Sequence, residues 1–179
     1  GLLEACANMG RHDYSRCLVM HSLSKRSNLP GLRSGFIAGD ADVIKAFLQY
    51  RTYHGCAMSV PLQHASKVAW DDNQHVIDNR ALYQKKFDAV LDILSPVLDV
   101  KRPDASFYLW AKTPYADDLF ARDLFAAKHL NVVPGRYLAR PTEQGNPGEG
   151  RIRMALVATL DECIDGASRL RDFLLDLKQ

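Results

Sequence analysis

The sequence predicts an α/β chain, and three observations carry that expectation. A short apolar run, Arg16–His21, ends in a serine-rich turn, as a buried sheet strand does when it delivers polar groups at its C-terminal end. A long stretch from Gln74 to Leu94 places Val76, Leu82 or Tyr83, Phe87, Val90 and Leu94 along one helical side. Beyond Pro96, short strand-like and helix-like segments alternate.

Taken in order, Leu2–Met9 reads as a helix. Arg16–His21 reads as a strand, after which Ser27–Gly31 breaks any regular element, because Pro30 forces Leu29 extended and Gly31 is free to take a positive φ. Arg33–Ala38 is a second strand. Asp40 is an N-cap for a helix from Ala41 to about Tyr53, Pro61–Trp70 is the next helix, and Asp71–Asn73 separates it from the long helix. Val97–Val100, Ser106–Ala111, Asn131–Val133 and Arg151–Val157 read as strands, with Asp117–His129 as an amphipathic helix and Arg140–Gly150 as a Pro/Gly-rich loop. Thr159 and Glu162 form a capping box for a last helix, whose Ile164, Ala167, Leu170, Phe173, Leu174 and Leu177 face a core. A domain boundary is expected near residues 72 to 80. The chain opens on Gly1 directly into a helix, so upstream sequence is expected.

Composition narrows the function classes. With 47% hydrophobic residues the chain can bury a core, and a net charge of +2 gives no excess pointing to nucleic acid or an anionic membrane. The four cysteines show neither a CxxC pair nor metal-ligand spacing with the six histidines, so they read as reduced, mostly buried thiols and no metal is expected. No apolar run reaches the length of a membrane span and no signal-peptide pattern opens the chain, so a cytoplasmic protein is expected.

The densest chemistry lies in Ser22-Leu23-Ser24-Lys25, followed by the Pro30-Gly31 turn and by Arg33, eight residues beyond the lysine. Two hydroxyls, turn amides and a guanidinium make a donor cluster suited to phosphate. Lys25 beside a phosphate is either a counter-charge or an amine able to condense with a carbonyl. The residue types alone also leave open a solvated serine-rich loop. A P-loop is excluded, since no GxxxxGK[ST] occurs.

The whole stretch Ser22–Asp40, SLSKRSNLPGLRSGFIAGD, resembles the cofactor-lysine segment of the class I/II aminotransferases, pyridoxal 5'-phosphate (PLP) enzymes of fold type I. The resemblance implies that Lys25 holds the cofactor as a Schiff base and that Ser22, Ser24 and Arg33 bind its phosphate. A second, distant match is Gly148–Val157, GEGRIRMALV, which resembles the strand whose arginine grips the substrate α-carboxylate; Arg153 takes that position. Strand alternation agrees: Ile152, Met154 and Leu156 share one face, so Arg153 projects from the other, with Arg151 alongside. The plainer reading of both arginines is a surface pair on an edge strand.

The resemblance implies the C-terminal part of the PLP-dependent transferase fold, with 1–73 as the end of the large PLP-binding domain and 74–179 as a long connecting helix and small α/β domain. Arg26–Phe36 together with Tyr50–Ser59 is similar to the succinyldiaminopimelate aminotransferases, which exchange an amino group between glutamate and N-succinyl-2-amino-6-oxopimelate in lysine and diaminopimelate biosynthesis. Other class I aminotransferases (aspartate, aromatic or alanine type), a PLP-fold transcription regulator and a plain phosphate-binding module stay open. The Tyr53-His54-Gly55-Cys56 loop lines the site, meets a second subunit of a homodimer, or ends a packed helix. Arg136, in Pro134–Tyr137, is a candidate for a distal succinyl carboxylate. The family's pyridine-binding aspartate, ring-stacking aromatic and glycine-rich phosphate loop have no matching position here, so they are expected upstream and the isolated chain is expected to be nearly inactive.

Overall fold

The computed structural model describes residues 1–178 and resolves two compact units, Gly1–Asn79 and Arg80–Gln179. The first contains α1 (Leu2–Asn8), β1 (Leu18–Ser22), the four-residue α2 (Leu23–Arg26), a 3-10 turn at Pro30–Leu32, β2 (Gly35–Gly39), α3 (Ala41–His54), α4 (Val60–Asp71) and the start of α5 (Gln74–Leu94). The second contains the rest of α5, β3 (Tyr108–Lys112), α6 (Asp117–Lys128), β4 (Val133–Pro134), a 3-10 turn at Gly135–Tyr137, β5 (Arg151–Ala155) and α7 (Leu160–Asp176). Among the described residues no helix is long and apolar enough to cross a membrane.

In the first unit β1 and β2 form an antiparallel pair, from Leu18 opposite Gly39 to Ser22 opposite Gly35. The buried sheet strand expected at 16–21 is therefore a hairpin strand, and Met20 is 75% exposed. The reason is geometric: among the described residues β1 has one neighbour, and two strands cannot cover both of their own faces. The predicted N-cap is present. Asp40 accepts the Arg16 amide at 2.6 Å and the Asp42 and Val43 amides at 3.0 and 3.1 Å, and these bonds, led by that of Arg16, hold its carboxyl below the usual range. No residue of α3 is buried.

The second unit holds the apolar core. Phe87, Val90 and Leu94 of α5, Phe120 and Leu124 of α6, and Cys163, Ala167, Leu170, Phe173 and Leu174 of α7 close over Leu109, Ala111 and Ile152 of the sheet. Strand order is β3-β5-β4 with both pairs antiparallel, so β5 is central. That corrects the edge-strand reading of its arginines. The Thr159–Glu162 capping box forms as expected, with the Thr159 amide donating to Glu162 at 2.9 Å. Residues 97–100 are a turn and not a strand: the Val97 and Leu98 amides return to Leu94 O, and Leu98 and Val100 enter the core from irregular backbone.

A buried carboxylate fixes the approach to β5. Asp117, with no exposed side-chain surface, accepts the Arg136 amide and Nε, both at 2.9 Å, and the Gly150 amide at 3.1 Å. The Arg136 guanidinium also meets Asp118 at 3.2 Å and Glu149 at 3.6 Å. Gly135 and Gly148 cross nearby so closely that a Cβ on either would stand 2.2 Å from the other's carbonyl oxygen. Burial is the largest influence on Asp117 and opposes its charge, but the Arg136 and Gly150 donors together outweigh it and hold the carboxyl below its ordinary 3.8. Its contribution to stability is complete above that value and is lost as pH falls through the depressed one. Asp117→Ala is expected to cost on the order of 3 kcal/mol, by stranding the paired guanidinium and amides, in urea unfolding of the full-length protein. Asp117→Asn should flatten the acid limb of the stability profile below about pH 4; an unchanged limb would assign acid sensitivity to other carboxylates.

Candidate active site

The predicted donors of the first unit all lie on the hairpin that joins β1 to β2. Leu23 N donates to Ser34 O at 3.1 Å and Ser22 lies opposite Gly35, so the two ends of the 22–35 loop meet, while Arg33 lines a groove with Arg51, Ser66 and Trp70. Gly35 is required there, because a Cβ would stand 2.7 Å from His21 O and 3.2 Å from Ser22 Cβ. The left-handed residues are Asn28 (φ 53°) and Arg33 (φ 50°) in place of Gly31, since Pro30–Leu32 takes a right-handed 3-10 turn. Arg33 exits that turn in αL and swings the chain into β2. Its Nη1 donates to Pro30 O at 3.0 Å, which leaves the rest of the fork for an anion.

Lys25 sits exposed on α2. Among the described residues the Ser22 and Ser24 hydroxyls carry no hydrogen bond. Two unengaged hydroxyls, the open side of a guanidinium and a nearby amine are the donor set that a phosphate monoester with an adjacent carbonyl requires.

The residue after the lysine, passed over in the sequence, holds this loop in place. Arg26 donates to Ala69 O at 2.9 Å, Trp70 O at 3.4 Å, Asp72 O at 3.3 Å and Asn73 Oδ1 at 2.7 Å, and its guanidinium lies 5.1 Å from the Trp70 ring centroid. It satisfies the carbonyls left open at the C-terminus of α4. Trp70 Nε1 in turn reaches Ser34 Oγ at 3.4 Å, and Ser34 and Ser66 hydroxyls are hydrogen-bonded. The loop is thus clamped on both sides to one helix. Only an i+43 contact reveals this, which local sequence reading does not see.

In the second unit, β5 alternates as predicted. Arg153 lies opposite Trp110, and Arg151 opposite Lys112, on the sheet face turned away from Leu109, Ala111 and Ile152. Arg153 stacks 5.7 Å from the Tyr108 ring centroid, and its Nε is buried without a hydrogen-bond partner. A buried guanidinium N–H without an acceptor is costly and suits a carboxylate arriving from outside the chain. Both arginines line a cleft of about 830 Å³. Arg136 is different: its fork is already taken by Asp117, Asp118 and Glu149, so the expected role at a distal carboxylate is withdrawn in favour of an internal one. At the end of α3, Arg51 donates to Cys56 O at 3.0 Å, His54 stacks on Tyr50, and Tyr53 is 83% exposed. Of the four free cysteines, Cys6 and Cys163 are buried, Cys17 is partly so and Cys56 is exposed, which corrects the expectation of mostly buried thiols.

The model of the family "Aminotransferase class I and II" matches residues 2–165. The chain belongs to the class I and II aminotransferases. A crystal structure of an aminotransferase from Neisseria meningitidis Z2491 is 58% identical, with a TM-score of 0.90 over 100% of this chain and 44% of that one. The LL-diaminopimelate aminotransferase of Dehalococcoides mccartyi is 32% identical over 87% of this chain and 40% of its own length. A probable N-succinyldiaminopimelate aminotransferase from Thermus thermophilus is 25% identical, with a TM-score of 0.77 over 90% of this chain and 43% of that one. The chain thus spans less than half the length of the relatives it matches, and its mixed α/β fold is that of fold type I aminotransferases.

For this aminotransferase segment the anchoring role of Arg26 is directly testable. Arg26→Ala should cost on the order of 3 kcal/mol by leaving several α4 carbonyls unsatisfied, and should speed amide exchange across 22–35. Arg26→Lys should recover little, because an ammonium cannot span the same set of acceptors. Exchange confined to α4, with the loop unchanged, would detach the lysine segment from this anchor.

Proposed function

We propose that the chain carries the lysine-bearing portion of a PLP-dependent transaminase, and that Lys25 is the residue that binds the cofactor covalently. What supports this reading is the closed 22–35 loop, whose ends meet at Ser22–Gly35 and Leu23–Ser34, so that the segment bearing Lys25 and the one bearing Arg33 start from adjoining backbone. In this reading the two hydroxyls and the Arg33 fork hold the phosphate. When bound, PLP supplies an electron-withdrawing ring that stabilises negative charge at the substrate α-carbon. Once displaced from the cofactor by the substrate amine, the Lys25 amine would take a proton from the substrate α-carbon and deliver it to the aldehyde-derived carbon of the cofactor. Arg153, with its buried, unpaired Nε, would hold the substrate α-carboxylate. The aspartate and aromatic ring contacts expected of the family belong to other parts of the whole protein.

The amino donor and acceptor in this proposal are glutamate and N-succinyl-2-amino-6-oxopimelate. The likeness of Arg26–Phe36 and Tyr50–Ser59 to succinyldiaminopimelate enzymes supports it, as does the similarity to the Thermus protein. A second reading, transamination of unmodified LL-diaminopimelate, is favoured by the relatives that bear that name. We further propose a cytoplasmic homodimer, with a second copy meeting α3, where Leu48, Tyr50 and Tyr53 are exposed and no residue is buried.

In the full-length protein, borohydride reduction should fix a pyridoxyl label on Lys25, and Lys25→Ala should lose both the label and the cofactor's visible absorbance. A label on another lysine, or none, would sink the assignment. Arg153→Ala should lower kcat/KM by roughly two to three orders of magnitude while cofactor absorbance persists. Amino-group transfer to 2-oxoglutarate from N-succinyl-LL-diaminopimelate, against the unsuccinylated amino acid, separates the two substrate readings.

A further inference from the structure

Two of the free cysteines meet. Cys6 stands on α1 and Cys17 directly ahead of β1, and their thiols are hydrogen-bonded to each other. The turn between them brings the two together. Gly10, Tyr14 and Arg16 take left-handed backbone at φ 73°, 53° and 59°. Arg11 N donates to Cys6 O and Cys17 N to Tyr14 O, both at 2.9 Å, and the Arg11 guanidinium donates to Ser15 O. Of the described residues of α1 only Cys6 is buried, at 3% exposure. The side chain with which this short helix docks is therefore a thiol, and it faces a second thiol.

The two sulfurs differ in access and in freedom. Cys17 is part-exposed and lines an open cleft with Arg11, His12, Asp13 and Arg16, where two guanidiniums stand against one carboxylate. A part-open, electropositive setting is where sulfur meets a small oxidant. Cys17 is also fixed in place, since its carbonyl accepts the Asp40 amide at 2.9 Å and lies where a Cβ on Gly39 would stand, 2.0 Å away. Cys6 is shut away, and the Cys17 contact first, then burial, push its thiol up, so it keeps its proton until a partner sulfur is open to attack. It rides on a seven-residue helix, too short to be rigid by itself, so the adjustment that a sulfur–sulfur bond demands can come from α1.

We propose that Cys6 and Cys17 are a reversible, peroxide-oxidised thiol pair whose disulfide staples α1 to the strand that leads to Ser22 and Lys25. The Cys17 sulfur attacks one oxygen of hydrogen peroxide and the O–O bond breaks. The departing hydroxide takes the Cys17 proton and leaves as water, and Cys17 becomes a sulfenic acid, oxidised by two electrons. The Cys6 sulfur then attacks the Cys17 sulfur, the S–O bond breaks, and hydroxide leaves with the Cys6 proton as a second water. One peroxide is consumed per disulfide, and a thiol reductant restores both cysteines by exchange.

The test is a thiol map of the reduced full-length protein before and after hydrogen peroxide, by alkylation in denaturant, tryptic digestion and mass spectrometry. Because Arg11 and Arg16 lie between the cysteines, the disulfide should appear as two joined tryptic peptides, one bearing Cys6 and the other Cys17. The pair should be lighter by two hydrogens than its separate parts and should come apart in dithiothreitol. Amide exchange across α1 should slow by about tenfold in the oxidised protein, because the helix can no longer undock. Cys6→Ser should leave Cys17 as a sulfenic acid that dimedone labels, Cys17→Ser should leave Cys6 unoxidised at the same dose, and Cys56→Ser should leave the joined peptides in place. The unsubstituted protein decides the question even where a serine variant fails to fold. Peroxide that leaves both thiols open to alkylation, joins Cys17 to any other cysteine, or forms the bond without slowing exchange in α1 overturns the proposal, as does loss of the Cys6 thiol in Cys17→Ser.

Discussion

The place of Lys25 depends on a guanidinium one residue away from it. A helix ends with carbonyls that have no partner in the helix, and at the end of α4 those carbonyls are gathered by Arg26. Because α2 is only four residues long, its own hydrogen bonds cannot hold it. The loop is positioned by what grips it from outside: Arg26 on one side, and the Ser34 contacts with Ser66 and Trp70 on the other. The β1–β2 pairing then needs only to bring its two ends together, and Gly35 removes the one side chain that would prevent this.

A different constraint organises the second unit. Strand alternation assigns every second residue of β5 to a dry face and the rest to a charged one, so one five-residue strand both seals the core with Ile152 and presents Arg151 and Arg153. Its central position matters, because neighbours on both sides fix its backbone and with it the direction of both guanidiniums. Asp117 adds a third restraint just upstream, holding Gly150 and Arg136 to the start of α6.

What could be read in the sequence was whatever physics acts over a few residues. The Asp40 cap, the Thr159–Glu162 box, the bounds of α5 and the outward direction of Arg153 all follow from local spacing. The long-range partners were not legible. Arg26 finds its acceptors more than forty positions away, and Asp117 holds residues 19 and 33 positions further on, so neither role leaves a local pattern. Arg136 misled for the same reason: an arginine in a loop looks available until the carboxylates that occupy it are found. Residues 97–100 have the apolar content of a strand, yet burial there is met by a turn, because apolar character fixes which residues leave water and not the backbone they use.

The crossing of Gly135 and Gly148 constrains how this segment can diverge. Each backbone occupies the space where the other would carry its first side-chain carbon, so neither position accepts a side chain, and Gly135 also lies against Trp110 and Arg151 of the charged cleft. Variation in length or composition is thereby channelled into the span between them, from Arg140 to Pro147. Within it Asn146 ties the two arms, donating to Arg136 O at 3.1 Å and accepting the Gly148 amide at 2.9 Å, so freedom to change falls to residues 140–145, whose rewriting leaves the sheet untouched.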